Sequence, residues 1–426
     1  MNSLGVIVEY NPFHKGHLYH LKKAKEKTNP THIIAVMSGN FVQRGEPSLI
    51  NKFARTKMAL NNGIDLVVEL PFVYSIQDAG GFANGSVGTL ARMGKINNLV
   101  FGSESNNLEL LDEIAEIIYS KPASYNSKLK KYLKEGISYP NARKKALLDI
   151  LKKQEAKEII ESSNDILGIE YLVHLKKYKS DISPNTIKRI GSKYNEKNLQ
   201  TEISSATAIR EAIYKDGLDD LNDFVPQKTL SILESEITSK RGPINIKDLE
   251  KIVFYKLYSL TREELEEYHG VIEGLSKRFL DASKKTNNIY ELIDNVKTKR
   301  FTRTRIKRTL LNILFEIKKV DVKMINKYGP QYIRVLGFNN NGQEFLSKIK
   351  KDIKIPIITT VSKYQNIKKR IDEDMLSHSK YKVNSEVMNY IFKKDILASN
   401  IYASLYNKRS KDYLETMDFN NSVIKY

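Results

Sequence analysis

The chain contains no cysteine. That absence excludes disulfides, thiolate-ligated zinc and thiol nucleophiles together, and it suits a reducing compartment. Nor does the sequence offer the ~18–20 consecutive apolar residues of a membrane-spanning helix, or the basic start and cleavage site of a signal peptide. A cytoplasmic location with no membrane partner is therefore expected. Negative charge is scarce as well: 50 Asp and Glu stand against 70 Lys and Arg, a formal net charge of +20. A field of that sign favours a polyanion, RNA or DNA first and an anionic membrane surface second. What is present is the composition of a folded protein. The 426 residues are 41% hydrophobic and 28% charged, enough for two or three domains of roughly 100–200 residues each.

Along the chain, short β-branched runs alternate with helical patterns. Gly5–Tyr10, Thr31–Met37, Asp65–Leu70 and Asn98–Gly102 read as buried strands. His17–Lys27, Phe53–Asn61 and the Gly/Ala-rich Gly80–Met93 read as the helices between them. This alternation predicts an α/β fold with a Rossmann-like, doubly wound parallel sheet. Residues from about 106 to 161 read as a helical insertion, after which Thr186–Ile190 (strand) and Thr207–Tyr214 (helix) resume the pattern. Beyond residue 216 lysine-rich helices dominate: Leu249–Leu260, Glu263–Lys277, Ile289–Val296 and Thr304–Glu316. One strand–helix–strand unit follows at Tyr332–Phe338, Gln343–Ile349 and Ile355–Thr360. The expected division is a catalytic domain over 1–216 and a basic, mainly helical C-terminal domain over 217–426, with a soft boundary near Gly217–Pro226.

The sharpest local signal is Asn11-Pro12-Phe13-His14-Lys15-Gly16-His17, between the first strand and the first helix. In an open parallel sheet the crevice beyond the strand carboxyl ends binds ligands, and a helix N-terminus there offers free N–H groups to phosphate. Two imidazoles at that place can donate hydrogen bonds to oxygens that gain charge during attack on phosphorus, while Gly16 lets the backbone come close. His14, His17 and His20 recur every third residue, so a zinc reading stands beside the phosphate one. Ser38-Gly39-Asn40 and Gln43-Arg44-Gly45-Glu46 follow the second strand toward the same crevice, either as acyl or pyrophosphate contacts or as a surface loop.

The string His14-Lys15-Gly16-His17 resembles the HxGH signature of the adenylyl-transferring nucleotidyltransferases and class I aminoacyl-tRNA synthetases. That superfamily's later phosphate loop is similar to Ser205-Ala206-Thr207-Ala208-Ile209-Arg210, with Ala206 where a second serine is common. A more specific resemblance covers nearly the whole chain. Val6–His17, Met37–Pro47, Val68–Phe72 and Phe101–Glu104 together are similar to the bacterial tRNA(Met) cytidine acetate ligases. The resemblance implies that acetate is activated with ATP as acetyl-adenylate, and that N4 of the wobble cytidine of elongator tRNA(Met) is then acetylated. It implies His14 and His17 as the catalytic pair. ATP contacts are implied from Ile7-Val8-Glu9-Tyr10-Asn11-Pro12-Phe13-His14-Lys15-Gly16-His17-Leu18-Tyr19-His20, from Gly102, Asn164 and Arg189, and from Ser205 and Thr207. Mg2+ is the expected escort of the phosphates.

In the second half, Lys297, Lys299, Arg300, Arg303, Arg305, Lys307 and Arg308 crowd into twelve residues without an acidic one, with Phe301 among them for stacking. Given the charge of the whole chain, this run is the expected RNA backbone contact, lying in another domain than the sheet crevice. Two other functions stay open at this level: an adenylyltransferase acting on a small phosphorylated metabolite, and a basic RNA-binding protein whose nucleotidyltransferase fold is idle. Intact His14, Gly16 and His17 favour an enzyme over the second; the basic half has no task under the first.

Overall fold

The hydrophobic runs of the first hundred residues become strands because each is long enough to cross a sheet and apolar enough to be covered on both faces. The computed structural model describes residues 1–190, 204–272, 274–374, 382–406 and 417–426. Its strands are β1 (Ser3–Val8), β2 (His32–Ser38), β3 (Phe41–Val42), β4 (Glu46–Pro47), β5 (Leu66–Leu70), β6 (Asn98–Ser103), β7 (Ser183–Lys188), β8 (Ile333–Phe338), β9 (Ile357–Ile358) and β10 (Ile424–Lys425). Eight of them form one sheet in the order β10-β8-β5-β2-β1-β6-β7, with β9 beside β8; β3 and β4 form a small separate hairpin. All neighbours in the large sheet are parallel except β5 and β8. β2 and β5 are buried along their whole length.

The chain fills one side of β1 with β2 and β5, then crosses to the other with β6 and β7. That reversal opens a crevice at the carboxyl ends of β1 and β6, where an open α/β sheet takes its ligand. The fold is thus a mainly helical α/β one with a mainly parallel central sheet.

The sheet crosses the division expected at residue 216. β8, β9 and β10 belong to the second half, yet they extend the sheet that β1 begins. One hydrophobic cluster runs from Leu4 to Met417. Two expected elements also differ. Thr186–Ile190 starts earlier, at Ser183, because β7 is an edge strand and its outer side tolerates Pro184. Glu263–Lys277 is two helices, Arg262–Glu267 and Leu275–Ser283. Between them Gly270 and Gly274, the second the N-cap of the later helix, take φ of 90° and 75°, values outside a helix interior, and Tyr268 bridges to Lys318; residue 273 lies outside the described residues. No helix among the described residues is long and apolar enough to cross a membrane.

Candidate active site

The turn after β1 is built by its histidines. His14 is the N-cap of the first helix, Lys15–Thr28, and accepts at Nδ1 from the Gly16 N–H at 3.0 Å. His17 closes the box by accepting at Nδ1 from the His14 N–H at 3.2 Å. These are tasks that Ser and Glu side chains commonly perform. Because each Nδ1 is an acceptor, each ring proton sits on Nε2. The rings lie 3.7 Å apart between centroids, so the backbone fixes two neighbouring N–H donors, the reverse of the lone pair a metal needs.

Burial pushes the His14 imidazole down to about 3, and Arg189 and Arg210 push the same way. Burial, then His14, Arg189 and His20, holds His17 well below its ordinary value. His20 is lowered to about 4 by burial and Arg189. All three rings are therefore neutral donors at pH 7.

These side chains face a cleft of about 320 Å³ at the strand carboxyl ends. The structure brings Ile7, Val8, Glu9, Tyr10, Asn11, His14, Gly16, His17, Tyr19 and His20 to it, along with Gly102, Asn164, Arg189 and Ser205. Pro12, Phe13, Lys15, Leu18 and Thr207, which the sequence grouped with them, do not line it. Phe13 is fully buried beneath the turn and Leu18 points to solvent. The Thr207 hydroxyl instead lies 3.5 Å from Arg210 Nη2, and Ser205 caps its helix by accepting from the Ala208 N–H at 3.1 Å.

Asp165 explains how Asn164 reaches the site. Fully buried, it accepts from the Ser103 hydroxyl and from the Glu104 and Ser105 N–H groups at 3.1 and 3.0 Å, which staples the helix Ser163–Lys177 to the end of β6. Asn164, next along, donates to Glu104 at 2.6 Å and accepts from Arg189 at 3.4 Å. Gly102 lies under that arginine; a Cβ there would sit 3.3 Å from Arg189 Cγ.

Sequence reasoning left several lining residues unassigned. Leu167 and Tyr171 follow Asn164 at i+3 and i+7, one helix face, a spacing that could have found them. Arg210 donates to the Asn11 carbonyl at 2.9 Å and to Glu46 at 3.1 Å, tying the second loop to the first turn. Gln43 and Arg44, which the sequence left between a contact in this crevice and a surface loop, belong to the wall, so the loop after β2 is part of the cleft. Gln43 N–H donates to Glu9 at 2.7 Å, and burial raises the Glu9 carboxyl against the pull of that bond and of Arg44, Arg210 and Arg55.

The basic run corrects the sequence reading in two ways. Phe301 is buried, with the Arg305 guanidinium over its ring at 5.1 Å, so it anchors the run and is not offered for stacking. Nor is the run remote from the crevice. The helix Arg303–Leu314 packs on the β3–β4 hairpin: Lys307 pairs with Glu46 at 2.8 Å and Arg308 donates to the Gln43 carbonyl at 3.2 Å. Lys307 and Arg308 are thus turned to the cleft wall. Arg303 pairs with Asp294 at 2.6 Å on the surface, and Lys297, Lys299 and Arg300 are exposed.

The HIGH Nucleotidyl Transferase family matches residues 1–417. A tRNA(Met) cytidine acetate ligase of Thermosipho africanus is 49% identical over 427 residues, covering 100% of this chain and 99% of that protein. One from Fervidobacterium nodosum is 45% identical with the same coverage. Among solved structures, Thermotoga maritima TmcAL bound with alpha-thio ATP superposes with a TM-score of 0.92 at 40% identity, covering 100% of this chain and 99% of that one. The apo form of the same protein gives 0.95.

Proposed function

The chain belongs to the HIGH nucleotidyl transferase family, among the tRNA(Met) cytidine acetate ligases, and on that premise we propose how its residues carry out the two steps. It is an ATP-dependent ligase. In the first step an acetate oxygen attacks the α-phosphorus of ATP, forming acetyl-adenylate as pyrophosphate leaves. In the second, N4 of the wobble cytidine of elongator tRNA(Met) attacks the acetyl carbonyl, and AMP leaves.

The observation that carries this reading is the pair of Nε2–H donors that the backbone fixes at the switch point of the sheet. Neutral and preorganised, they stabilise charge that grows on the phosphate oxygens during attack. Arg189 and Arg210 add fixed positive charge at the cleft. Asn164, held by Glu104 and Arg189, and Gly102 beneath them shape the β6–β7 side for the nucleotide. Ser205 sits at the N-terminus of the opposite helix, Ala206–Asp216, where phosphate is favoured. The exposed Lys297, Lys299, Arg300 and Arg303 supply RNA backbone contacts beside this wall, and cytoplasm is where ATP and tRNA meet such an enzyme.

Among the described residues no group of three or more His, Cys, Asp or Glu side chains is placed to hold a metal ion. Mg2+, which is commonly held by one or two carboxylates together with substrate phosphates, would then enter with the nucleotide.

The test is incubation with ATP, labelled acetate and total bacterial tRNA, followed by nucleoside mass spectrometry. Labelled acetylcytidine in the elongator tRNA(Met) fraction is expected. Folded protein that yields none would overturn the assignment of substrate.

A further inference from the structure

The β3–β4 hairpin touches three parts of the molecule at once. Glu9, at the end of the first-strand segment, accepts from Gln43 N–H at 2.7 Å. At the other end Glu46 divides its carboxylate: Oε1 takes Arg210 Nη2 at 3.1 Å and Oε2 takes Lys307 Nζ at 2.8 Å. Arg210 in turn holds the Asn11 carbonyl of the histidine turn. Lys307 belongs to the basic helix. Between these anchors the hairpin lies flat on that helix, since a Cβ on Gly45 would come within 2.5 Å of the Arg308 backbone nitrogen. Glu46 is mostly buried, and although burial raises its carboxyl, Arg210 and Lys307 hold it below its ordinary value.

We propose that Glu46 is a positioning residue for acyl transfer: by binding Arg210 and Lys307 together it sets the register between the nucleotide cleft and the basic helix on which the RNA is docked. The proposal rests on the two-step reading above. Acetate and ATP are small and reach the cleft from solvent, so activation makes no demand on the helix. The cytidine does not move independently of its strand. If the backbone of that strand is held by the basic helix, the placing of N4 against the acetyl carbon depends on where the helix sits relative to the cleft, and an error of about 1 Å costs on the order of 100-fold in rate.

Two variants separate this role from a direct one. If Lys307 were itself an RNA ligand competed for by Glu46, Lys307→Gln would weaken tRNA binding and Glu46→Gln, which frees the ammonium, would strengthen it. A positioning joint predicts instead that both variants share one defect. Enzyme is loaded with ATP and acetate, the acetyl-adenylate is quantified by hydroxylamine trapping, and saturating tRNA is added for a single turnover. Glu46→Gln and Lys307→Gln are each expected to slow transfer about 10- to 100-fold, with tRNA affinity within about threefold of wild type. The double variant should be no slower than the worse single one, because both remove the same joint. Lys307→Arg should retain the rate.

Amide hydrogen exchange over residues 41–47 and 303–308 supplies a readout that does not depend on substrate identity: both Gln variants should exchange faster there. Wild-type transfer rates with unchanged exchange would overturn the proposal, as would opposite effects of the two variants on tRNA affinity. If wild type forms the adenylate but no acetylcytidine, the substrate reading fails, and the exchange experiment still decides whether the joint exists.

Discussion

The two histidines serve as both helix cap and donor pair, and this doubling makes them testable separately from the nucleotide cleft around them. Under the proposed mechanism, replacing His17 with Ala removes one developing-charge donor, a loss that typically costs about 10²–10³ in rate. Acetyl-adenylate formation should fall by that order while ATP affinity falls much less; near-normal pyrophosphate release would take His17 out of the mechanism. Protonation supplies a second test. The His14 ring is pushed down to about 3 and the His20 ring to about 4, against about 6.5 in an unfolded chain. The unfolded state therefore takes up protons that the folded state refuses, and stability declines as pH falls below about 6.5. A proton added to either ring of the pair would land on an Nδ1 that already accepts a backbone N–H, so the pair should stay neutral when phosphate oxygens meet its Nε2–H groups. Calorimetry near pH 5 in buffers of different ionisation enthalpy should show no more proton uptake on ATP binding in wild type than in His14→Asn. Uptake that His14→Asn abolishes would mean that the ring is charged in the complex.

At the level of elements, what holds the cleft together is a set of short links between strand ends and helix starts. Asp165 is the clearest. It serves two backbone N–H groups and a hydroxyl while fully buried, so Asp165→Ala would strand those donors at about 1–3 kcal/mol for a buried group left unpaired. Denaturant unfolding should register a loss of about 2–3 kcal/mol. ATP binding should weaken as well, because Asn164 loses its placement; unchanged stability would mean that water replaces the carboxylate without cost.

The same links explain which parts of the molecule were legible in the sequence. β1, β2, β5 and β6 could be read because central parallel strands are continuous apolar runs. The histidine turn was legible because its string stands between a readable strand and a readable helix and resembles a family signature. The contacts among Glu46, Arg210 and Lys307 were not, since the three stand far apart in the chain and were read as parts of three separate features, the loop after β2, the later loop and the basic run. Phe301 deceived for a related reason: an aromatic among cations suggests stacking, and only the packing around it shows that it faces inward.

Across the whole molecule, the second half is bound to the first by buried charge as well as by the shared sheet. Lys52, fully buried, pairs with Glu69 of β5 at 2.8 Å and with Asp418 at 2.7 Å, while Arg334 of β8 takes Asp418 at 3.0 Å. Beside them Asp395 accepts from the Phe72 N–H at 2.7 Å and from the Tyr332 hydroxyl. Burial, and then the neighbouring Glu69 carboxylate, pushes Asp395 up to about 8. A carboxyl raised on folding contributes stability that is full below its unfolded pKa, about 3.9, and is lost as pH climbs through the folded value. Above about pH 6.5, where the histidine contribution is complete, the melting temperature should accordingly fall toward about pH 8, and less steeply in Asp395→Asn. Parallel curves for the two proteins would deny the carboxyl that role.

The antiparallel partner of β5 is β8, and it comes from the far end of the chain. A ribosome adding about 5–20 residues per second releases β5 many seconds before β8 exists. Through that interval a wholly buried strand of the finished protein is an open edge, and an open apolar edge invites pairing with another nascent chain. The buried ammonium of Lys52 likewise waits for Asp418, made later still. The newborn polypeptide is consequently a natural client for chaperones until both partners have emerged. A stop codon between Arg210 and β8 would then yield an insoluble product, even though every described residue that lines the cleft had been translated.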